Sequence, residues 1–208
     1  PAGSPAPATP AQVPRELDYS EPIKTPNPQD AATVDEQIVK LGQQTFDRAR
    51  DEFKKGEYVA AQGDVEKSIR LVPQDRALHE VRALCQFAQK KYLDSAGTLY
   101  AVLNNGPGSD WQTIGSFYPD QDTYVKHLRS LEDSIREGGN EPWRHFLLAY
   151  HYMVLDEKEA ALEEFRLATK LNEKDMVSKK MVEVLEATLG IKDPTKSAPE
   201  QPKEKAPE

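Results

Sequence analysis

The sequence predicts an all-α protein made of antiparallel helix pairs stacked side by side. Three observations carry that prediction. Residue types recur 34 positions apart: Ala49 with Ala83, Phe53 with Phe87, Tyr58 with Tyr92, and Pro73 with Pro107. Within each recurrence, apolar residues keep the three- and four-residue spacing of a helix face, as in Phe46, Ala49 and Phe53. Proline is confined to ends and boundaries: eight of the 16 lie in residues 1–30 and four in 194–207, leaving Pro73, Pro107, Pro119 and Pro142 between them. A period of this length signals a repeat architecture, in which each unit hides its apolar face only by stacking on a neighbour.

Taken in order, the elements begin with Thr33-Val34-Asp35-Glu36, which has the form of a capping box and predicts a helix from about Val34 to Lys55. Lys55-Gly56-Glu57-Tyr58 makes a turn, residues 59–71 form the partner helix, and Pro73 ends the unit because proline cannot continue a helix. Ala49 and Ala61 sit where the two helices approach closely. The stretch Lys54-Lys55-Gly56-Glu57-Tyr58-Val59-Ala60-Ala61, followed by Leu71-Val72-Pro73-Gln74-Asp75, resembles the tetratricopeptide (TPR) consensus. That resemblance implies a right-handed superhelical stack of three to four repeats plus a C-terminal capping helix. It also implies that the first helix of each pair lines a concave groove.

A later unit follows the same logic. Residues 146–153 read as a helix, 155–158 as a turn and 160–171 as its partner, with Ala149, Ala161, Phe165, Ala168 and Leu171 at the family's packing positions and Glu173 in place of the usual proline. Between these units, 108–141 reads as a degenerate third repeat. Its first helix, with Trp111, Ile114, Gly115 and Tyr118, is cut short by Pro119. Asp120 or Asp122 then caps a second helix of about 123–137 with Tyr124, Leu128, Leu131 and Ile135 on one face. Residues 176–189 carry the one-sided stripe Met176, Val177, Met181, Val184, Leu185 and Leu189 expected of a terminal cap. The predicted organisation is therefore a disordered Pro/Ala-rich linker over 1–32, a helical repeat domain over 33–190 and a disordered tail over 191–208. The units of the domain fall at about 33–75, 76–107, 108–141 and 142–175, with the cap at 176–189.

Composition narrows the function classes. The net charge is −8, and no basic stripe of the kind a phosphate backbone requires is present, so nucleic acid is not an expected partner. No run of about 18 apolar residues marks a membrane span, so no direct membrane insertion is expected within this chain. Cys85 is the only cysteine, flanked by Leu84 and Phe87, and reads as a buried structural thiol. His79-Glu80-Val81-Arg82-Ala83 begins like a zinc-protease motif but has Ala83 where the second histidine must stand. After Asp120 and Asp122, Val125 and Leu131 occupy the glycine and glutamate positions of a calcium loop. Asn104-Asn105-Gly106-Pro107-Gly108 lacks the Lys-Ser/Thr of a phosphate cradle. No nucleophile motif is set, so no enzyme activity, cofactor or metal is expected.

The resemblance implies a non-catalytic scaffold that binds a protein or peptide in its groove. Mapped onto the family pattern, the groove positions are Gln43, Phe46, Arg50 and Phe53 in the first unit and Ala77, Glu80, Leu84 and Phe87 in the second, joined by Trp143, Tyr150 and Met153 later. Arg50 alone could serve a carboxylate clamp, so an apolar or extended peptide is the expected ligand. Aromatic and arginine side chains dominate binding hot spots, and the candidate peptide-binding set is therefore Arg50, Phe53, Glu80, Leu84, Phe87, Trp143, Tyr150 and Met153. Residues 111–132 and 146–152 also look like bacterial TPR proteins of unassigned function. The alternative reading is a structural, self-associating module of a larger exported or membrane-tethered assembly, in which the Pro/Ala-rich arm is the tether; otherwise a monomer is expected.

Overall fold

The computed structural model describes residues 28–191, and among these residues it is all-helical, with no strand. The helices are α1 (Pro28–Lys54), α2 (Tyr58–Leu71), α3 (Arg76–Ala88), α4 (Tyr92–Asn104), α5 (Trp111–Gly115), α6 (Gln121–Arg136), α7 (Pro142–Val154), α8 (Lys158–Leu171) and α9 (Met176–Thr188). The linker expected over 1–32 lies outside the described residues up to position 27, and the tail over 192–208 lies outside them too. Helix α1 starts at Pro28, ahead of the predicted start at Val34, so Thr33 is inside the helix rather than capping it. Proline at the first helical position loses no hydrogen bond, and the following Ala31 and Ala32 are strong helix formers. The chain divides into two units after Glu36, and the helix packing is that of the second, from Gln37 onward.

Consecutive helices pack as antiparallel neighbours within two blocks, α1 to α4 and α7 to α9. Arg48 of α1 pairs with Asp64 of α2, and the Gln89 amide after α3 donates to Gln62 Oε1 at 2.8 Å and to the Tyr58 carbonyl. Ser95 of α4 donates to the Ala83 carbonyl at 2.8 Å, and Arg166 of α8 pairs with Glu186 of α9 at 2.8 Å. Each hairpin closes on small residues twelve positions apart: Ala49 with Ala61, Ala83 with Ser95, Ala149 with Ala161, all fully buried. A larger side chain at any of these would hold the backbones apart. Further along the second helices, Val65, Leu99 and Phe165 occupy one equivalent core position, and each is at most 1% exposed.

The turns repeat as closely as the core. Gly56, Lys90, Asp156 and Gly190 all have positive φ, at 82°, 61°, 63° and 68°. The residue after each donates its N–H five residues back: Glu57 to Glu52, Lys91 to Gln86, Glu157 to Tyr152 and Ile191 to Glu186, each at 2.9 Å. This is the Schellman closure, which satisfies carbonyls left open at a helix end. Helix α9 thus ends as α1, α3 and α7 do, in the manner of a first helix of a pair.

The segment between α4 and α7 departs from the prediction of a third repeat. Helix α5 has only five residues, and it does not make a hairpin with α6. Instead α7 packs directly on α4. Contacts advance in the same direction along both helices: Trp143 and Arg144 lie by Lys91–Asp94, Phe146 meets Tyr100 with centroids 5.5 Å apart, and Tyr150 reaches the Gly108 backbone beyond the end of α4. The α4/α7 junction is therefore parallel where a uniform stack would be antiparallel. One long helix, α6, intervenes and reverses the chain once, and 108–141, here called the insert, forms no helix hairpin of its own.

Candidate functional site

The residues predicted to line a groove form a repeated triplet on the first helices. Phe46, Arg50 and Phe53 on α1 correspond to Glu80, Leu84 and Phe87 on α3, and then to Phe146, Tyr150 and Met153 on α7. The i, i+4, i+7 spacing turns each triplet to one side of its helix.

That side is occupied by the chain itself. Phe117 packs edge-on against Phe46 and Phe53, with centroids 5.8 and 6.3 Å apart, and Tyr118 meets Phe53 at 5.0 Å. The Arg50 guanidinium lies over both the Phe46 and Phe117 rings, at 5.2 and 5.3 Å. From α6, Tyr124 meets Phe87 at 6.3 Å, and His127 lies edge-on to both Tyr58 and Phe87. Ile114, Phe117, Tyr118, Tyr124, Leu128 and Leu131 are all buried. Asp110 and Asp120 start α5 and α6 by accepting the N–H of Thr113 and Thr123, at 2.9 and 2.7 Å.

A carboxylate fastens the insert where it begins. Glu80, 6% exposed, accepts the Ser109 N–H at 2.7 Å and the Tyr150 hydroxyl at 2.6 Å on Oε1, and the Ser109 hydroxyl on Oε2. Three charge-assisted hydrogen bonds offset the desolvation of this buried anion. Their donors come from the insert and from α7, so Glu80 ties both to α3.

Behind this latch, His151 stacks on Phe87 with centroids 3.7 Å apart. The Tyr124 hydroxyl lies 3.0 Å from His151 Nδ1 and donates to the His151 carbonyl at 3.3 Å, which leaves Nδ1–H to donate to the hydroxyl. Desolvation pushes the His151 pKa down to about 3, with a smaller push from His127. Burial likewise raises the phenols of Tyr118, Tyr124 and Tyr150. These polar groups are held neutral and away from water, which suits them to fixing rings in place. Burial also pushes the fully buried Cys85 thiol up to about 12, as expected of a structural cysteine.

Of the eight predicted site residues, the structure gathers Arg50, Phe53, Glu80, Phe87 and Tyr150 under or beside the insert, and Leu84 is part of the core; Phe53, Glu80, Leu84, Phe87 and Tyr150 are buried. Met153, half-buried, continues the same side of α7. Trp143 is set apart, at the start of α7, where it is half-buried beside the α3–α4 turn and stacked by Arg144 at 4.6 Å. Sequence reasoning missed Ser109, Phe117, His127 and His151 as members of this cluster. The stripe Tyr124, Leu128, Leu131, Ile135 was the available signal, since an apolar stripe needs a cover, but it does not say what it covers.

No described helix is long and apolar enough to cross a membrane. Compared with models of known families and with curated proteins the chain matches none.

Proposed function

We propose that the chain is a non-catalytic protein-binding scaffold of the tetratricopeptide type, whose hairpins accept a helical segment of a partner on the face formed by α1, α3 and α7. The observation that supports this most is the seating of α6, an amphipathic helix whose Tyr124, Leu128 and Leu131 are buried. A helix laid into an apolar groove by anchors at i, i+4 and i+7 is a common mode of peptide recognition. Tethered by Gly106 and Gly108 on one side and Gly138 and Gly139 on the other, the insert acts as a built-in ligand at an effective concentration of about millimolar. A partner engages the face by competing with it.

A labelled peptide covering residues 109–141 tests the reading, added in trans to the intact chain and to Tyr124→Ala, which weakens the tethered copy. The variant should bind the peptide saturably, and the unaltered chain at least about tenfold more weakly. No binding to a variant that remains folded by circular dichroism would sink the groove assignment.

A second reading has its own observation. Helix α9 leaves Met176 and Val184 exposed on one side, followed by Ile191, and it ends in the turn that closes first helices elsewhere. Such a face suits end-to-end self-association. Light scattering over a hundredfold range of concentration separates the two, because a mass that stays monomeric removes the oligomer reading.

A further inference from the structure

We propose an oxyanion-binding site for a phosphate group between α3 and α4, beside the Gly106–Gly108 stretch that leads into the insert. A cavity of about 290 Å³ is lined by Arg76, His79 and Arg82 of α3, by Thr98 and Asn105 of α4, and by Gln74 from the preceding turn. The three side chains lie at i, i+3 and i+6 along α3 and all border the same cavity.

The chemistry of the lining is one-sided. No carboxylate borders the cavity. Among the described residues none of the three basic side chains forms an ion pair, whereas Arg48 is matched with Asp64 and Arg166 with Glu186. Asp75, beside Arg76, spends its carboxylate on the Ala77 N–H at the start of α3, and Glu80, beside His79, spends its own on Ser109 and Tyr150. Arg76 has a single contact, to the Pro107 carbonyl. His79 Nε2 donates to the Pro73 carbonyl at 2.8 Å.

The decisive group is Arg82. Its Nε is buried and has no hydrogen-bond partner in the protein. A guanidinium N–H withdrawn from water without an acceptor is costly, and native proteins rarely keep one without a reason. Two guanidinium groups offer planar forks of donors that match the tetrahedral oxygens of phosphate better than a single point charge would. The cavity lies at the small end of ligand sites, so it holds the phosphate group itself, free or as the end of a phosphomonoester.

Titrating the full 23.3 kDa chain with inorganic phosphate at constant ionic strength, while following the arginine Nε–H resonances by NMR, tests the site. Arg82 and Arg76 should shift saturably, while Arg129, exposed on α6 and outside the cavity, should not. Arg82→Met and the exposed Arg76→Gln should each weaken binding by about tenfold or more, since each removes charged hydrogen bonds. Acetate, with one charge and two oxygens, should bind about tenfold more weakly than phosphate. Phosphoserine run in parallel shows whether the free ion or the ester is preferred, the tighter of the two naming the source. A linear response shared by Arg129, unchanged affinity in both variants, or acetate binding as tightly as phosphate would each overturn the proposal.

Discussion

The three hairpins among the described residues and the insert between α4 and α7 close against their neighbours by different means. In the hairpins, alanine and serine at fixed positions let backbones approach, and large side chains such as Val65, Leu99 and Phe165 fill equivalent spaces. In the insert, rings do the closing: Phe117 and Tyr118 meet Phe46 and Phe53 edge-on, Tyr124 meets Phe87 at a tilt, and hydroxyl and imidazole groups stitch them together. The first arrangement recurs because each unit meets the same kind of neighbour. The second occurs once, because it covers rings that different helices bring together. Side chains that would be ligand contacts on an open face are therefore core residues here.

The largest expected effect separates the two regions directly. Phe165→Ala and Tyr124→Ala each delete a ring with almost no exposure, at a cost of about 3–5 kcal/mol. Hydrogen exchange should show Phe165→Ala loosening α7 to α9 and Tyr124→Ala loosening α5 and α6 while α8 stays protected. Equal loss of protection in α8 in both variants would mean that insert and hairpins form one cooperative unit.

Acid should strain the insert first. The unfolded chain takes up a proton at His151 near 6.5, whereas the native chain does so only near 3, so stability falls as pH drops through that window. The loss from this group is about 3 kcal/mol at pH 4. Denaturant unfolding at pH 7 and pH 4 should show a steeper decline in the native chain than in His151→Phe; equal declines would refute the assignment.

A smaller effect is expected at the latch. Glu80→Gln replaces one acceptor oxygen with an amide and removes the charge, and should cost about 1–3 kcal/mol by denaturant unfolding. Exchange should rise at Ser109 before it rises in α2, and uniform acceleration would argue against a local fastening role. The smallest effect compares the flanks. Gly138→Ala and Gly56→Ala both place a Cβ on backbone of positive φ, 122° and 82°, with open space around it. Each should cost about 1 kcal/mol, measurable as a shift in unfolding midpoint. A stabilising Gly138→Ala would show that this flank does not need glycine.

Much of the fold was legible along the chain because its causes are local. The 34-residue recurrence, the glycine and proline punctuation and the alanine pairs located α1 to α4, α7 and α8, and the aspartate before Gln121 marked the start of α6. The start of α1 was misplaced because Thr33 and Glu36 mimic a cap inside a segment that continues as helix back to Pro28. The site residues were recognised as one side of their helices, yet their state was not. Nothing local in Phe53 or Phe87 distinguishes a side chain waiting for a ligand from one already covered.

What the sequence determined by itself is therefore the set of helices, their pairing into hairpins and the composition of each face, since periodicity and turn chemistry act over a few residues. Tertiary structure alone decided that 108–141 forms no helix hairpin of its own, that α7 runs parallel to α4, and that Phe117 and Tyr118 cover α1 while α6 packs on α3 and α7. Those outcomes depend on burying a ring-lined surface against whichever apolar stripe the chain can bring to it. That choice is set by burial of the whole surface and not by any one spacing.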